Sequence, residues 1–291
     1  MIYNPAAGRL RRNPQRILQR STDALARASV APRLAPTSAP GDATKIVGQA
    51  IAEGADLILV LGGDGTVNEV VNGMLHSRIP LGILPAGTAN VLSMELGLGS
   101  QLETAIGRLA GATERRIAVG CLVNGGAPRY FLAMGGAGLD AKIVYDLNPA
   151  FKAVAGKLAY WLGGFGHVGQ RIQNFDVRIN GDSYRCGFAL ASRVRNYGGD
   201  LEIASGASLL RDDFEVVLFE GVNPLRYLGY MAAVGLRQVQ RLPGVHTVHA
   251  RQIELSGEAH VQIDGEYAGR IPGRFEIVPD ALTILVPPVY R

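Results

Sequence analysis

Cysteine, lysine and long apolar runs are scarce in this chain of 291 residues, and each scarcity excludes some classes of protein. The two cysteines, Cys121 and Cys186, allow at most one disulfide, and we interpret both as small core residues in a reducing cytosol. Only four residues are lysines, and none follows a glycine run of the G-x-x-x-x-G-K-[ST] type, which excludes a kinase built on that P-loop.

The sequence contains no run of about 18 to 20 apolar residues that could span a bilayer. It also begins without a basic leader followed by an apolar segment, so no secretory signal is visible. The first strand is short at Met1, which leaves open whether the natural start lies upstream. We therefore expect a cytoplasmic protein, with contact at the inner face of the membrane left open.

The overall composition predicts a folded protein with a sizeable core. Hydrophobic residues make up 47% of the chain, charged residues 19%, and the mean hydropathy is +0.14, which excludes disordered, collagen-like and coiled-coil proteins. A net charge of +4 over this length does not mark a nucleic-acid binder, and we expect no nucleic-acid partner. The histidines show no zinc-ligand spacing.

Residues 1–115 alternate between strand and helix patterns. Strands are predicted at Ile2–Tyr3, Leu57–Leu61 and Leu81–Leu84, and helices from Pro14, with Asn13 as its cap, and over Asp42–Glu53. Three successive strand–turn–helix units predict a doubly wound α/β domain with a parallel sheet. The proline-rich stretch from Ala31 to Gly41 is interpreted as a loop of this domain.

Residues 116–279 predict a mainly antiparallel β domain. Asn124-Gly125-Gly126 and Asn180-Gly181 are hairpin turns between alternating segments, the first between Ile117–Val123 and Tyr130–Met134 and the second leading through Tyr184 to Leu190. Further strands are predicted at Phe214–Phe219, Val248–Leu255, His260–Ile263, Phe275–Val278 and Leu282–Val286, and helices at Lys152–Gly169 and Pro224–Arg241.

The segment Gly62-Gly63-Asp64-Gly65-Thr66-Val67-Asn68-Glu69 follows an apolar strand and opens a helix. Its glycines allow close backbone approach, and a helix N-terminus offers free N–H groups, so the pattern predicts a site for nucleotide phosphates. Thr66 and Glu69 have capping-box spacing. Asp64 would place a negative charge beside phosphates, which favours a magnesium ion or a substrate hydroxyl as its partner. An ordinary glycine-rich turn is the alternative.

Two further loops show the same pattern of a strand followed by a glycine-containing turn. Asn4-Pro5-Ala6-Ala7-Gly8 follows the first strand, and Pro85-Ala86-Gly87-Thr88-Ala89-Asn90 follows the third, with Thr88 placed to cap the next helix. The carboxyl ends of parallel strands meet at one edge of the sheet, where ligands bind. The three loops together therefore predict one phosphate-binding edge.

These three motifs, followed in order by Asp264-Gly265-Glu266, resemble the bacterial diacylglycerol kinase and sphingosine kinase superfamily over nearly the whole chain. The resemblance implies an ATP-binding α/β domain, a β-rich lipid-binding domain, catalysis in the cleft between them, and a last segment, about 280–291, that returns to the first domain. It also implies ATP contacts from Asn4, Pro5, Gly8, Thr37, Gly62, Gly63, Asp64, Gly65, Thr66, Asn68, Gly87, Thr88 and Asn90.

By the same resemblance, Glu266 is the base that accepts the proton of a lipid hydroxyl, with Asp64 as the second candidate. Mg²⁺ would be held by a carboxylate before the strand Phe214–Phe219, which Asp212 or Asp213 could supply. The residue types alone leave other interpretations open, namely a plain Asp-Gly hairpin turn at Asp264 and solvated turn residues at Asp212 and Asp213.

The chain departs from the family pattern at two places. Asn90 is usually followed by Asp and, three residues later, by Arg, whereas this chain has Val91 and Met94. Ungapped alignment puts Arg211 and Asp212 where the family has Asp-Gly. These departures keep open a non-catalytic lipid- or nucleotide-binding protein on the same scaffold, and an NAD kinase, which shares Gly-Gly-Asp-Gly-Thr, is the other alternative.

The apolar segment from Lys152 to Phe165, which contains the single tryptophan and the family-like run Lys157-Leu158-Ala159-Tyr160, predicts an acyl-chain pocket, a membrane contact or a core helix. The expected cofactors and partners are thus ATP with Mg²⁺, a lipid substrate and, transiently, a membrane surface. Whether the chain is a monomer or a homodimer stays open.

Overall fold

The computed structural model describes residues 1–146, 173–197, 201–221, 223–235 and 238–290. The chain divides into two compact units, one of Met1–Ile117 with Asp280–Arg291 and one of Ala118–Pro279. The predicted helix at Lys152–Gly169 lies outside the described residues.

Unit 1, the first of these, is an α/β domain. Its elements are β1 (Ile2–Tyr3), α1 (Pro14–Arg27), β2 (Ala35–Pro36), α2 (Asp42–Ala52), β3 (Ile58–Gly62), α3 (Asp64–Met74), β4 (Leu81–Pro85), α4 (Val91–Glu95) and α5 (Leu102–Ala110), with a 3₁₀ turn at Leu10–Arg12. The strands are parallel in the order β2-β1-β3-β4. This confirms the predicted α/β class.

The parallel sheet of unit 1 is covered on both faces, which explains its continuous apolar strands. Every residue of β3 and β4 is buried. Helix α1 begins as predicted, because the Asn13 side chain accepts a hydrogen bond from the Arg16 N–H at 3.2 Å and Pro14 takes the first helical position. Helix α3 turns Val67, Val70, Val71 and Met74 toward the core.

Three local predictions for unit 1 are wrong. Helix α3 begins at Asp64, two residues before Thr66, so Thr66 lies inside the first turn and forms no capping box. Glu69 instead accepts a hydrogen bond from the Ala43 N–H at 3.2 Å. Thr88 does not cap α4, because Asn90 stands at the N-cap position. The stretch from Ala31 to Gly41 is not wholly loop, since β2 lies within it and pairs with β1.

The last strand of the chain takes part in both units. This strand, β18 (Gly273–Val286), places Ile284 opposite Leu81 in parallel register with β4. Beyond it, the Tyr290 hydroxyl donates a hydrogen bond of 3.0 Å to the buried Glu95 carboxylate. Residues 280–290 therefore extend the parallel sheet of unit 1.

Unit 2 consists of antiparallel sheets. Its remaining elements are β5 (Thr113–Val123, which begins in unit 1), β6 (Arg129–Phe131), β7 (Met134–Gly138), α6 (Leu139–Asp146), β8 (Phe175–Ile179), β9 (Asp182–Cys186), β10 (Phe188–Ser192), β11 (Asn196–Tyr197), β12 (Leu201–Glu202), β13 (Phe214–Phe219), α7 (Pro224–Gly235), β14 (Val245–Ala250), β15 (Gln252–Ser256), β16 (His260–Ile263) and β17 (Glu266–Arg270). One sheet has the order β14-β13-β10-β7-β16-β17, a second joins the first part of β18 to β15, β8 and β9, and β11 pairs with β12 in a separate two-stranded sheet. The predicted antiparallel β class is confirmed.

A cluster of phenylalanines lies in the apolar core of unit 2. The ring of Phe131 stacks on Phe214 at 5.7 Å between centroids and meets Phe275 edge-on at 5.6 Å. Cys121 and Cys186 are free and buried, as expected, and burial raises the pKa of Cys121 to about 11 and that of Cys186 to about 12. Both thiols are therefore protonated and unreactive near neutral pH.

Several strand boundaries in unit 2 differ from prediction because the chain changes sheets where the sequence pattern runs on. The segments predicted as Tyr130–Met134, Tyr184–Leu190 and Val248–Leu255 are each two strands, whereas Phe275–Val278 and Leu282–Val286 are parts of the single strand β18. At Gly187, for example, the N–H donates to Phe219 and the carbonyl accepts from Leu139, which separates β9 from β10. The predicted helix Pro224–Arg241 is helical to Gly235 and has a 3₁₀ turn at Val239–Arg241.

Among the described residues, no helix is long and apolar enough to cross a bilayer.

The end of β7 demands glycine, and this generates a stability prediction. Gly138 has a φ of +93°, and a Cβ there would lie 2.2 Å from the Gly187 carbonyl oxygen. We expect Gly138→Ala to lower the free energy of unfolding by more than about 1 kcal/mol in urea denaturation. The matched control is Gly48→Ala within α2, where no atom lies within 4 Å and alanine should stabilise by roughly 0.5–1 kcal/mol. Equal effects of the two substitutions would contradict the strand geometry.

Candidate functional site

The loops that follow β1, β3 and β4 contact one another at the carboxyl edge of the unit 1 sheet. The Gly62 carbonyl oxygen accepts hydrogen bonds from the N–H groups of Ala86, at 2.9 Å, and Gly87, at 3.2 Å. The Ala86 carbonyl in turn accepts from the Arg9 N–H at 3.0 Å. These backbone bonds join the three loops into one surface.

The backbones of Gly63 and Gly87 approach so closely that a side chain has no room at Gly87 and would be tightly packed at Gly63. A Cβ on Gly87 would lie 2.5 Å from the Gly63 Cα, and one on Gly63 would lie 3.3 Å from the Gly87 Cα. Helix α3 begins directly after this contact, at Asp64, with no side chain capping its N-terminus. Free N–H groups and the helix dipole make such a surface suited to an anion.

Two asparagine side chains fix the shape of these loops. The Asn4 amide donates to the Thr66 hydroxyl at 3.3 Å, and its Oδ1 accepts from the Ala6 N–H at 2.9 Å. The Asn90 Oδ1 accepts from the Gly87 N–H at 2.8 Å, and its Nδ2 donates to the Gly87 carbonyl at 2.9 Å. Both asparagines therefore stabilise the conformation of the loops, independently of any ligand.

The remaining residues with an expected ATP contact are distributed around this edge. The Thr37 N–H donates to the Tyr3 carbonyl at 2.9 Å, which places Thr37 just after β2 at the same end of the sheet. Thr88 is exposed, and a Cβ on Gly8 would lie 3.4 Å from its hydroxyl. Pro5 belongs to the first loop, Gly65 to the first turn of α3, and Asn68 to the next turn, where Asn72 donates to it.

Asp64 faces the start of α4. Its Oδ1 accepts a hydrogen bond from the Leu92 N–H at 3.3 Å. Val91, the apolar departure from the family pattern, is the first residue of that helix. The carboxylate at the start of α4 is thus contributed by the first residue of α3, and the Leu92 N–H helps to orient it.

In unit 2, Asp264 and Gly265 form a tight turn between β16 and β17, with φ angles of +47° and +80°. The Asp264 carboxylate accepts hydrogen bonds of 2.9, 2.9 and 3.0 Å from the N–H groups of Leu132, Ala133 and Met134. Its role is therefore to anchor the turn. Glu266, the first residue of β17, is exposed. The segment is thus a hairpin turn, and the turn presents Glu266 to solvent.

A buried polar chain supports this turn, and nothing in the sequence analysis predicted it. The Gly265 N–H donates to the Gln262 Oε1 at 2.8 Å, and the Gln262 Nε2 donates to the Asp140 Oδ2 at 2.7 Å. The Tyr197 hydroxyl donates to the other Asp140 oxygen. Burial raises the pKa of Asp140 to about 7, against the opposing effect of the Gln262 hydrogen bond. The three side chains are far apart in sequence, and no short motif connects them.

Of the two residues predicted to hold magnesium, Asp213 is already paired with a cationic side chain. The Asp213 carboxylate is engaged by the Arg211 guanidinium through Nε, at 2.8 Å, and Nη2, at 2.5 Å. These hydrogen bonds and charge lower the pKa of Asp213 below its usual range. Asp212 is exposed. Within the described ranges, no group of three or more His, Cys, Asp or Glu residues could hold a metal.

Comparisons with known proteins bear on both halves of the chain. Residues 1–122 match the diacylglycerol kinase catalytic domain, and residues 133–286 match the YegS C-terminal NAD kinase beta sandwich-like domain. The chain is 29% identical to the diacylglycerol kinase of Bacillus subtilis, over 94% of this chain and 91% of that protein. It is 30% identical to the diacylglycerol kinase of Staphylococcus epidermidis, over 99% and 91% respectively.

The fold is shared with solved structures. A crystal structure from Bacillus anthracis str. Sterne has a TM-score of 0.83 and 25% identity, covering 100% of this chain and 95% of the other. A second, of a diacylglycerol kinase from the same organism, has a TM-score of 0.74 at 24% identity, covering 100% and 97%.

The buried Asp140 carboxyl generates a prediction on pH dependence. Because its pKa is raised in the folded protein from about 4 to about 7, the folded state binds more protons than the unfolded state in that window. The contribution of Asp140 to the free energy of unfolding should therefore decrease as pH rises from about 4 to about 7 and be constant above. Asp140→Asn should flatten that part of the profile, measured by urea denaturation at several pH values. An unchanged slope would contradict a raised pKa at this position.

Proposed function

The chain belongs to the diacylglycerol kinase family, and on that premise we propose that it transfers the γ-phosphoryl group of ATP to a primary hydroxyl of a lipid such as diacylglycerol. The observation that carries this proposal is the contact between Gly63 and Gly87 at the uncapped start of α3. A surface of backbone N–H groups without side chains is what a triphosphate requires.

We assign ATP binding to the loops of unit 1. The N-terminus of α3 and the glycine turns receive the phosphates, while Asn4 and Asn90 hold those turns in shape. Thr37 and the exposed Thr88 lie at the same end of the sheet and supply hydroxyl donors. Mg²⁺ enters as part of the MgATP substrate, because the residues around Asp213 do not fit a protein-held ion.

The transfer itself needs a base for the lipid hydroxyl. As the hydroxyl oxygen bonds to the γ-phosphorus, the bond to the β-phosphate oxygen breaks, ADP leaves, and the hydroxyl proton passes to a carboxylate. We assign this role to Glu266, which is exposed on a rigidly anchored turn, with Asp64 as the second candidate. Since diacylglycerol resides in bilayers, the protein would also contact the cytoplasmic membrane surface transiently.

One alternative is favoured by particular residues. Val91 at the start of α4 and the Arg211–Asp213 pair depart from the family pattern where carboxylates are expected, which supports a protein that binds ATP or lipid without turnover. Turnover assays decide between this alternative and the kinase. NAD is included as an acceptor, because the NAD kinases share Gly-Gly-Asp-Gly-Thr.

We expect Glu266→Gln and Asp64→Asn to reduce lipid-dependent ATP consumption by about 100-fold or more, since each removes a carboxylate proposed to accept a proton. The measurement is ADP release by the full chain with MgATP and mixed micelles of diacylglycerol, monoacylglycerol or sphingosine, with NAD as a separate acceptor. The matched controls are Glu258→Gln and Asp56→Asn, both exposed, which should keep full activity. Turnover on NAD alone, or full activity in Glu266→Gln and Asp64→Asn, would rule out the proposed lipid kinase or its bases.

Gly87→Ala should weaken ATP binding at least about tenfold, because a Cβ 2.5 Å from the Gly63 Cα must push the two loops apart. Isothermal titration calorimetry with a non-hydrolysable ATP analogue measures the change. Gly111→Ala, at the end of α5 with no atom within 4 Å, is the matched control and should bind like the wild type. Undiminished affinity in Gly87→Ala would place the nucleotide elsewhere.

A further inference from the structure

Arg193 is a completely buried arginine that follows β10. Its guanidinium donates to three backbone carbonyls of one loop: Nη2 to Leu209 at 2.8 Å, and Nη1 to Arg211 at 3.0 Å and Asp213 at 3.5 Å. The backbone N–H of Arg193 donates to the Ala133 carbonyl at 2.8 Å, which fixes Arg193 next to the start of β7. A single cationic group thus organises residues 209–213.

Several carbonyl oxygens of one loop, converging on one positive charge beside a carboxylate, resemble the ligand set that a hard divalent cation takes in proteins. Here the positive charge at the centre of the carbonyls belongs to the chain. The adjacent carboxylate of Asp213 is already engaged by a second guanidinium, that of Arg211, and the His249 Nδ1 lies 3.4 Å from its Oδ2. The three carbonyls that converge on Arg193 and the carboxylate of Asp213 are therefore already engaged by the chain's own cations.

Electrostatics act in the same direction. Arg193 and Arg211 both stabilise the ionised form of Asp213, with Arg211 the larger contributor. A divalent cation approaching this carboxylate would meet two fixed positive charges, one of them completely buried and so poorly screened by solvent. Binding would require the Arg211–Asp213 pair to break first.

We propose that Arg193 and Arg211 take the place of a divalent cation in unit 2, so that residues 209–213 are held by the chain's own guanidinium groups and bind no metal. This inference does not depend on the proposed kinase activity. It predicts that any magnesium the protein uses arrives with its ligand.

The first test measures metal binding by the nucleotide-free wild-type chain, with Mn²⁺ as the probe, by electron paramagnetic resonance titration. We expect no Mn²⁺ bound at this loop and no change in Tm when Mg²⁺ or EDTA is added. If Mn²⁺ binds, the Asp212→Asn/Asp213→Asn double variant decides the matter. Binding that persists unchanged lies elsewhere and agrees with the proposal, whereas binding that is lost in the double variant overturns it.

The second test removes the guanidinium. Arg193→Met should lower Tm by about 6 °C or more and speed cleavage of residues 208–213 in limited proteolysis. The matched control is Arg178→Met, an arginine with 68% of its side chain exposed, which should shift Tm by less than about 2 °C.

If Arg193→Met does not fold, Arg193→Lys keeps the charge but cannot span three carbonyls. It should give the same direction of change in Tm and cleavage, at smaller size. Wild-type Tm and cleavage in both Arg193 variants would overturn the proposal.

Discussion

The candidate nucleotide site depends on one steric constraint, the contact of the Gly63 and Gly87 backbones. The register of the parallel pair β3–β4, in which Gly62 lies opposite Pro85, brings the two following loops side by side. Any side chain at Gly87 would separate them. The hydrogen bonds from Ala86 and Gly87 to the Gly62 carbonyl then hold the loops together, and α3 starts beside them with no side chain capping its N-terminus.

Unit 2 solves a different problem, which is to hold one exposed carboxylate on a short hairpin. A two-residue turn is flexible by itself, but Asp264 ties it to three N–H groups between β6 and β7. Gln262 ties the other side of the turn to Asp140 inside the unit. Buried polar chains of this kind are costly unless every member has a partner, and their value is to fix one geometry. The position of Glu266 is therefore fixed by side chains that are buried, as Gln262 and Asp140 are, or partly buried, as Asp264 is.

Much of the fold was predictable from local patterns. Continuous apolar strands before glycine turns specify the parallel sheet of unit 1, and Asn180-Gly181 specifies the β8–β9 hairpin of unit 2. These signals lie within a few residues of the structure that they determine. The capping predictions for Thr66 and Thr88 failed because α3 begins two residues before Thr66, whereas α4 begins only at Val91, after Asn90. Sheet changes at Gly187 and Arg251, the Asp140 chain and the Arg193 carbonyl cluster depend on residues distant in sequence. Nothing in the residues next to Arg193 in sequence distinguishes it from an exposed arginine. Its burial depends on the distant loop from Leu209 to Asp213, which surrounds its guanidinium.

The path of β18 has a consequence for biosynthesis. Strand β4 has β3 on one side and the end of β18 on the other, so its second edge is satisfied only by residues beyond 279. Those residues leave the ribosome after the whole of Ala118–Pro279. Domains generally fold in order of synthesis. Here the nascent unit 1 keeps an unpaired apolar strand edge until the end of β18 is synthesised, so unit 2 is the first unit that can complete its fold. A chaperone that shields β4 during translation would therefore act on the part of the chain that is made first and finished last.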